Sequence, residues 1–499
     1  MITYSLENKK NKTLYEFFYE CIKDDILKGT LKPNEKLPSK RAFAANHGVS
    51  IITIENTYEQ LMAEGYIYSK ARSGFYVSPT IFEFQESYHY RANPLNQIDI
   101  ESSTDNTSIK NYSKLNNDSV SLISNHTNKD NFPFSVWAKI NRQVLSGAGE
   151  NLLTPPPVGG VIELRKAIAK HLYDFRGINV SYEQIIIGAG TEYLYNLIVQ
   201  LLGRDKKIGL ENPGSKKIRS IYEALGVRIT PLNMDGEGII TESPDLSSTD
   251  IIQLSPSHHF PSGIVTPVNR RYKLIQWANE SDDRYLIEDD YDSEFRLQGK
   301  PIPSLFSMDN TDKVIYLNTF TKSLASTIRI SYMVLPNRLL EIYRQNLSFY
   351  SCTVSNFEQY ILASFIDNNH FEKHINRMRN HYRKLRDTLI TSIKKSNLNS
   401  IIKIDGEDSG LHFLMHIKTE KNDQMLKQLA ANEGVLISFL SEYLFDDINN
   451  HEKIFNLTSS TDDKVNSNTK YSHTAIVNYS GLNECMIENI VKSLERAWT

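Results

Sequence analysis

The sequence predicts a multidomain chain: a small N-terminal α+β unit, a polar linker, and a large α/β domain that ends in a smaller α+β subdomain. Three observations carry this. Residues 11–78 set short helical patterns before a closing β segment. Residues 101–118, "ESSTDNTSIKNYSKLNND", are dominated by Ser, Asn, Thr and Asp, a composition that cannot bury enough apolar surface to order itself. From about residue 119, apolar runs such as "QIIIGAG", "IIQLSP", "RYLIEDD" and "KVIYLNTF" alternate with amphipathic stretches such as "TEYLYNLIVQLLG". Strands alternating with helices predict a largely parallel central sheet. The boundaries that follow are 1–78, 79–118 and 119–499.

Bulk properties narrow the class. A chain of 499 residues, 40% of them hydrophobic, has material for a large core without covalent staples. Cys21, Cys352 and Cys485 stand far apart in no paired spacing, which predicts neither a disulfide framework nor a zinc site. A formal charge of -3 excludes a uniformly basic nucleic-acid coat, while a basic face on the small unit stays open. No run nears the roughly 18 apolar residues of a membrane span, and the first residues lack the apolar core of a signal peptide. The expected location is the cytoplasm.

In the N-terminal unit, Ser39 can cap a helix running through Ala45, "NHG" breaks it, and Ser50 can cap a second helix that ends at Gly65. That is helix-turn-helix spacing. The second helix then lies in the major groove, and its first turns, with Thr53, Asn56 and Tyr58, face the bases. Lys40, Arg41, Lys70 and Arg72 are placed for phosphates, and Gly74 supplies the tight turn of a wing. A small helical interaction module with solvated charges is the alternative. The string "GTLKPNEKLPSKRAFAANHGVS…TYEQLMAEGYIYSKARSGFYV" resembles the GntR-family winged helix-turn-helix almost throughout. The resemblance implies double-stranded operator DNA as partner. It also implies an arginine just after Ser50, where this chain has Ile51, so base preference does not carry over.

In the large domain, "YLNTFTKSLASTIRISYMV" reads as a buried strand, a polar turn holding Lys322, and a second apolar strand. A lysine between two buried flanks is costly unless its ammonium is paired, neutralised or consumed in a covalent bond; otherwise it sits at a loop tip with its head in water. Upstream, "YLIEDDYDSEF" ends a strand on Asp289 and Asp290 with Tyr291 next, and Arg329 lies seven residues past the lysine. An aldehyde cofactor held as an imine needs a lysine, a carboxylate for a pyridine nitrogen, and donors for a phosphate. The strand-turn-helix "IIIGAGTEYLYNL" offers free N–H groups and a helix dipole at Gly190, Thr191 and Glu192. The acids also admit a magnesium site, but no second acidic cluster accompanies them, and His258 and His259 sit in a turn motif without further ligands, so their expected role is structural and no metal is expected.

These residues resemble fold-type I pyridoxal-phosphate enzymes of the aspartate aminotransferase kind. Together with the N-terminal unit and linker, "YLIEDDYDSEF", "TFTKSLASTIRISYMVLP", "SPSHHFPSG" and "GVIELRKAIAKHLYDFRGI" resemble the MocR family of transcription regulators. By that resemblance the cofactor is pyridoxal 5'-phosphate, Lys322 carries its aldimine, Asp289 pairs with the pyridine nitrogen and Tyr291 with the ring hydroxyl. Thr321, Arg329, Gly190 and Thr191 then hold the phosphate, and the chain is a homodimer. Three positions depart from the pattern: Ser215 where an aromatic covers the ring, the region of Thr154 where a tyrosine reaches a partner's phosphate, and Ile476 where an arginine binds substrate carboxylate. Bidentate arginine positioning is a large part of transaminase advantage. The expected function is a DNA-binding regulator that senses pyridoxal phosphate or an amine or amino-acid effector; a working aminotransferase with an appended DNA-binding module is the competing reading. Lys216, Lys217 or Arg219 can supply a replacement charge.

Overall fold

The computed structural model describes residues 3–4, 12–70, 73–79, 119–123, 130–297, 303–407, 410–445 and 471–499. The chain divides into two units, Met1–Lys114 and Leu115–Thr499. Nearly all of the expected linker, and Arg72 of the wing, lie outside the described residues. Among the described residues no helix is long and apolar enough to cross a membrane.

The small unit orders α1 (Leu14–Leu27), α2 (Lys40–His47), α3 (Ile51–Ala63), β1 (Ile67–Lys70) and β2 (Gly74–Val77). Thr13 and Glu16 cap α1 reciprocally, and Phe18, Ile22 and Ile26 line one face at four-residue spacing. Ser39 and Ser50 cap α2 and α3 as expected, accepting from the N–H groups of Ala42 and Thr53. Helix α2 runs two residues past the expected Ala45, to His47, because the chain turns left-handed only at Gly48, with φ of 63°. The two strands form an antiparallel hairpin in register Ile67↔Val77 to Lys70↔Gly74.

The large unit is built on an eight-stranded sheet. Its strands are β3 (Ile185–Gly188), β4 (Lys207–Asn212), β5 (Arg228–Asp235), β6 (Gly238–Ile239), β7 (Ile251–Leu254), β8 (Tyr285–Asp289), β9 (Val314–Thr319) and β10 (Ser331–Val334), in the spatial order β3-β10-β9-β8-β7-β4-β5-β6. Strands β9, β8, β7, β4 and β5 pair in parallel, whereas β10 is antiparallel to both neighbours. Both faces are covered, so the strands are apolar on both sides and alternation sorts them. Ile185, Ile187, Tyr316 and Tyr332 enter one core with Phe371 and Phe365. Ile186, Ile315, Leu317 and Met333 enter the other, against Leu194, Leu197 and Ile198 of helix α4 (Thr191–Leu202).

The long helix read over 371–396 is present as α6 (His370–Lys395), with α5 (Lys216–Ala224) preceding it beyond β4. The C-terminal subdomain is a four-stranded antiparallel sheet, β11-β12-β14-β13, from β11 (Ile402–Asp405), β12 (His412–Ile417), β13 (Ser438–Phe439) and β14 (Thr474–Asn478).

Candidate functional site

In the small unit, the helical period decides which residues of α3 face outward. Ile54, Thr57, Tyr58 and Leu61 are buried at i, i+3, i+4 and i+7, while Ile51, Ile52 and Asn56 are exposed and Thr53 is half-buried. Tyr58 was expected among the base-facing residues and is instead fully buried, its hydroxyl donating to the Pro38 carbonyl at 3.0 Å. Its large apolar ring belongs to the face that packs on Phe43 and Phe75. Tyr58→Phe should therefore cost about 1 kcal/mol of the unit's stability, read by hydrogen exchange of the α3 amides, with DNA affinity unchanged. Of the expected phosphate contacts, Arg41 and Lys70 are exposed, whereas Lys40 is paired with Glu55 at 2.6 Å. Lys70 lies 4.8 Å from the Tyr76 ring centroid, and Gly74 opens the second wing strand at φ of 115°.

In the large unit, strand direction gathers the site. Asn212, Leu254, Asp289 and Thr319 each end a parallel strand, and a cavity of about 430 Å³ opens beyond them, at the carboxyl edge where α/β sheets bind ligands. Thr191, Glu192, Asp289, Tyr291, Thr321, Lys322 and Arg329 all line it, and Gly190 caps α4 at its edge. The expected cofactor set is thus brought to one place.

Alternation along β8 separates its acids. Asp289 faces the cavity and accepts from the Tyr195 hydroxyl at 2.8 Å, while its Oδ1 is buried and has no partner among the described residues. Burial pushes its carboxyl up to about 6. Asp290 points the other way, to Arg176 at 3.0 Å and the Tyr316 hydroxyl at 2.7 Å. It belongs to the sheet's support. Lys322 follows β9 in a one-turn helix, Phe320–Ser323, where burial lowers its ammonium below the usual lysine range against the pull of Asp292 and Asp289. A lysine so placed is a better nucleophile for a carbonyl.

Helix α4 touches both ends of the cavity. Gly190, with φ of 93°, precedes its first N–H groups, and Tyr195, one turn on, holds Asp289. The Arg329 guanidinium lies over this helix start, bonded to the Glu192 carboxylate, which also bonds Lys217. Thr321 donates its hydroxyl to the Ile328 carbonyl at 3.1 Å.

Sequence reading missed a polar wall. His412 of β12 packs on His258 with ring centroids 4.6 Å apart and the planes tilted by 41°, and His258 Nδ1 bonds Asp292 at 2.8 Å. His259 lies 3.5 Å from Glu211, whose carboxyl burial raises to about 8, and burial lowers His259 to about 3. Burial disfavours the charged form of each partner, which weakens this contact as an ion pair. Asp292 was in view within "EDDYDSEF", but His412 opens the strand "HFLMHI", far from the other motifs, and carries no sequence signal of its own.

At the three departures, Ser215 caps α5 and lines the cavity, with the Phe445 ring close by. Thr154 contributes its carbonyl to Asn356 at 2.8 Å. Ile476 is buried with Leu414 and Leu440, with Phe260 packed against them. The side chain at that point of β14 is thus apolar and packed in a hydrophobic cluster.

Comparison with known proteins fits this architecture. Residues 117–454 match the family described as aminotransferase class I and II, and residues 14–77 that described as bacterial regulatory proteins, gntR family. The HTH-type transcriptional regulator YdeL of Bacillus subtilis, itself described as uncharacterized, is 35% identical over 100% of this chain and 99% of its own. The probable rhizopine catabolism regulatory protein MocR of Rhizobium meliloti is 29% identical over 88% of this chain and 89% of its own. The pyridoxine biosynthesis regulator PdxR of Corynebacterium glutamicum is 28% identical over 85% and 87%. Among solved structures, the multiple substrate aminotransferase of Thermococcus profundus superposes with a TM-score of 0.66 at 20% identity, over 80% of this chain and 95% of that one, which shows the fold. A GntR-type DNA-binding unit and an aminotransferase class I and II domain on one chain, aligned end to end with such a regulator, make this protein a DNA-binding transcription regulator of the MocR type.

Proposed function

We propose that the aminotransferase-like domain binds pyridoxal 5'-phosphate at Lys322, and that this occupancy, or its reaction with an amine or amino-acid effector, changes how the winged units engage operator DNA. The observation that carries this reading is the buried Oδ1 of Asp289, without a partner among the described residues, in one cavity with Lys322, whose ammonium burial disfavours. A pyridinium N–H is the donor that such an oxygen lacks. The residues present fit the group: Asp289 for the ring nitrogen, Tyr291 for the ring hydroxyl, and Thr191 and Arg329 for the phosphate, with Phe445 an aromatic in the same lining as Ser215. When bound, pyridoxal phosphate supplies an electron-accepting aldehyde for amines.

Sensing is favoured over turnover by Ile476, which sets an apolar, buried side chain where the resemblance places a carboxylate-binding arginine. An effector acts only if it binds two arrangements of the protein unequally. A homodimer belongs to this reading, and exposed Phe134, Leu145, Leu153 and Phe349 offer apolar surface for it.

The test is operator binding of the full chain with and without pyridoxal phosphate, across a salt series. Arg41→Ala is expected to weaken binding about tenfold and to flatten the salt slope by about one. DNA binding indifferent to pyridoxal phosphate at saturation, and to amines added after it, would sink the sensing reading.

A further inference from the structure

The start of helix α4 carries an acid that a phosphate site does not call for. Glu192 is the helix's second residue, and its carboxylate is held by the donors assigned above to the cofactor phosphate or next to them. One oxygen is bonded to Arg329, the other to Lys217, and the group also accepts from its own backbone N–H. Burial pushes this carboxyl up, but Lys217, the helix N–H and Arg329 outweigh it, so the group is an anion at neutral pH. Its position is the phosphate's as well: a β-carbon placed on Gly190 meets the Arg329 guanidinium and lies 2.6 Å from Glu192 Oε2. The ion pair covers the glycine that opens the anion cradle.

We infer that Glu192 is a built-in competitor for the cofactor's phosphate, an affinity-determining residue that keeps pyridoxal phosphate binding weak enough to report its concentration. The inference rests on the proposed cofactor reading. A phosphate dianion and a carboxylate cannot share the Arg329 fork without repulsion. To bind, the phosphate must take Arg329 from Glu192, which keeps Lys217 as its remaining partner. Two cations and one carboxylate leave one net positive charge to meet the dianion; with an uncharged side chain at 192 there are two. Lys217 also bears on the attachment point, since its charge disfavours protonation of Lys322. The penalty falls only on ligands that carry the phosphate.

The experiment is a titration of the full chain and of Glu192→Gln with pyridoxal phosphate and with pyridoxal at fixed ionic strength, read by cofactor absorbance and by mass after borohydride reduction. Glu192→Gln is expected to tighten pyridoxal phosphate by about ten- to a hundredfold and to leave pyridoxal within about twofold. Equal pyridoxal phosphate affinity in the two proteins overturns the inference and leaves the cofactor reading standing. So does a gain shared equally by pyridoxal, which would mark a general change in the cavity. Absence of any adduct on either protein, with either aldehyde, overturns the cofactor reading itself.

Discussion

Lys322→Ala is expected to abolish the borohydride-stable adduct that pyridoxal phosphate leaves on the wild-type chain, together with its near-ultraviolet and visible absorbance. Lys322 is the lysine lining the cavity from the end of β9, and burial holds it toward the neutral amine that attacks an aldehyde. Alanine removes the nucleophile and little packing, since Phe320 and Leu324 on either side keep the core contacts. The folded fraction, read by thermal unfolding, should stay near wild type. Residual binding without covalent attachment is expected to fall steeply, because the phosphate and ring contacts then act alone. An adduct of unchanged stoichiometry on Lys322→Ala would place the attachment elsewhere.

The second large effect concerns support and not chemistry. Arg176→Ala should destabilise the large unit by about 3–5 kcal/mol, the cost of leaving a buried charge without its partner. The Arg176 side chain is 3% exposed and the Asp290 side chain 0%. Arg176 also reaches Ser257 at 3.1 Å, so one guanidinium ties the acid of β8 to the "SPSHHFPSG" turn that carries His258 and His259. All three tryptophans, at 137, 277 and 498, lie in the large unit, so urea unfolding followed by their fluorescence reads this unit alone. Replacing both charges, with Arg176→Met and Asp290→Asn, should recover most of the loss. If it does not, the pair is worth more as a hydrogen-bond network than as a matched charge.

The parts of this protein legible in its sequence were those set by local rules. Ser39 and Ser50 announce their helices because capping is a two- to three-residue interaction, and the strands of the large unit announce themselves because both faces are apolar. Lys322, Asp289 and Arg329 were legible as a group from their motifs, and the fold brings them to one cavity. Tyr58 was misplaced although Ile54, Tyr58 and Leu61 already spell the buried stripe of α3; position along the recognition helix was weighed and angular position was not. His412 and Glu211 were out of reach, since each is brought to the cavity by a strand remote in sequence from Lys322. Nothing in the string showed that Glu192 turns back onto Arg329, because that contact joins residues 137 positions apart.

Helix α4 works as a gauge. Thr191 at its first turn and Tyr195 four residues on are separated by about 6 Å along the axis, and Tyr195 fixes Asp289 at the far end of the cavity. On the proposed cofactor reading, the span between the phosphate seat and the acceptor for the ring nitrogen is therefore set by a single rigid rod, and a ligand is measured against that length. A molecule with a donor N–H and an anion at another spacing can satisfy one end only. Selection by length in this way leaves His259 and His412, which line the cavity from other elements, outside the measurement.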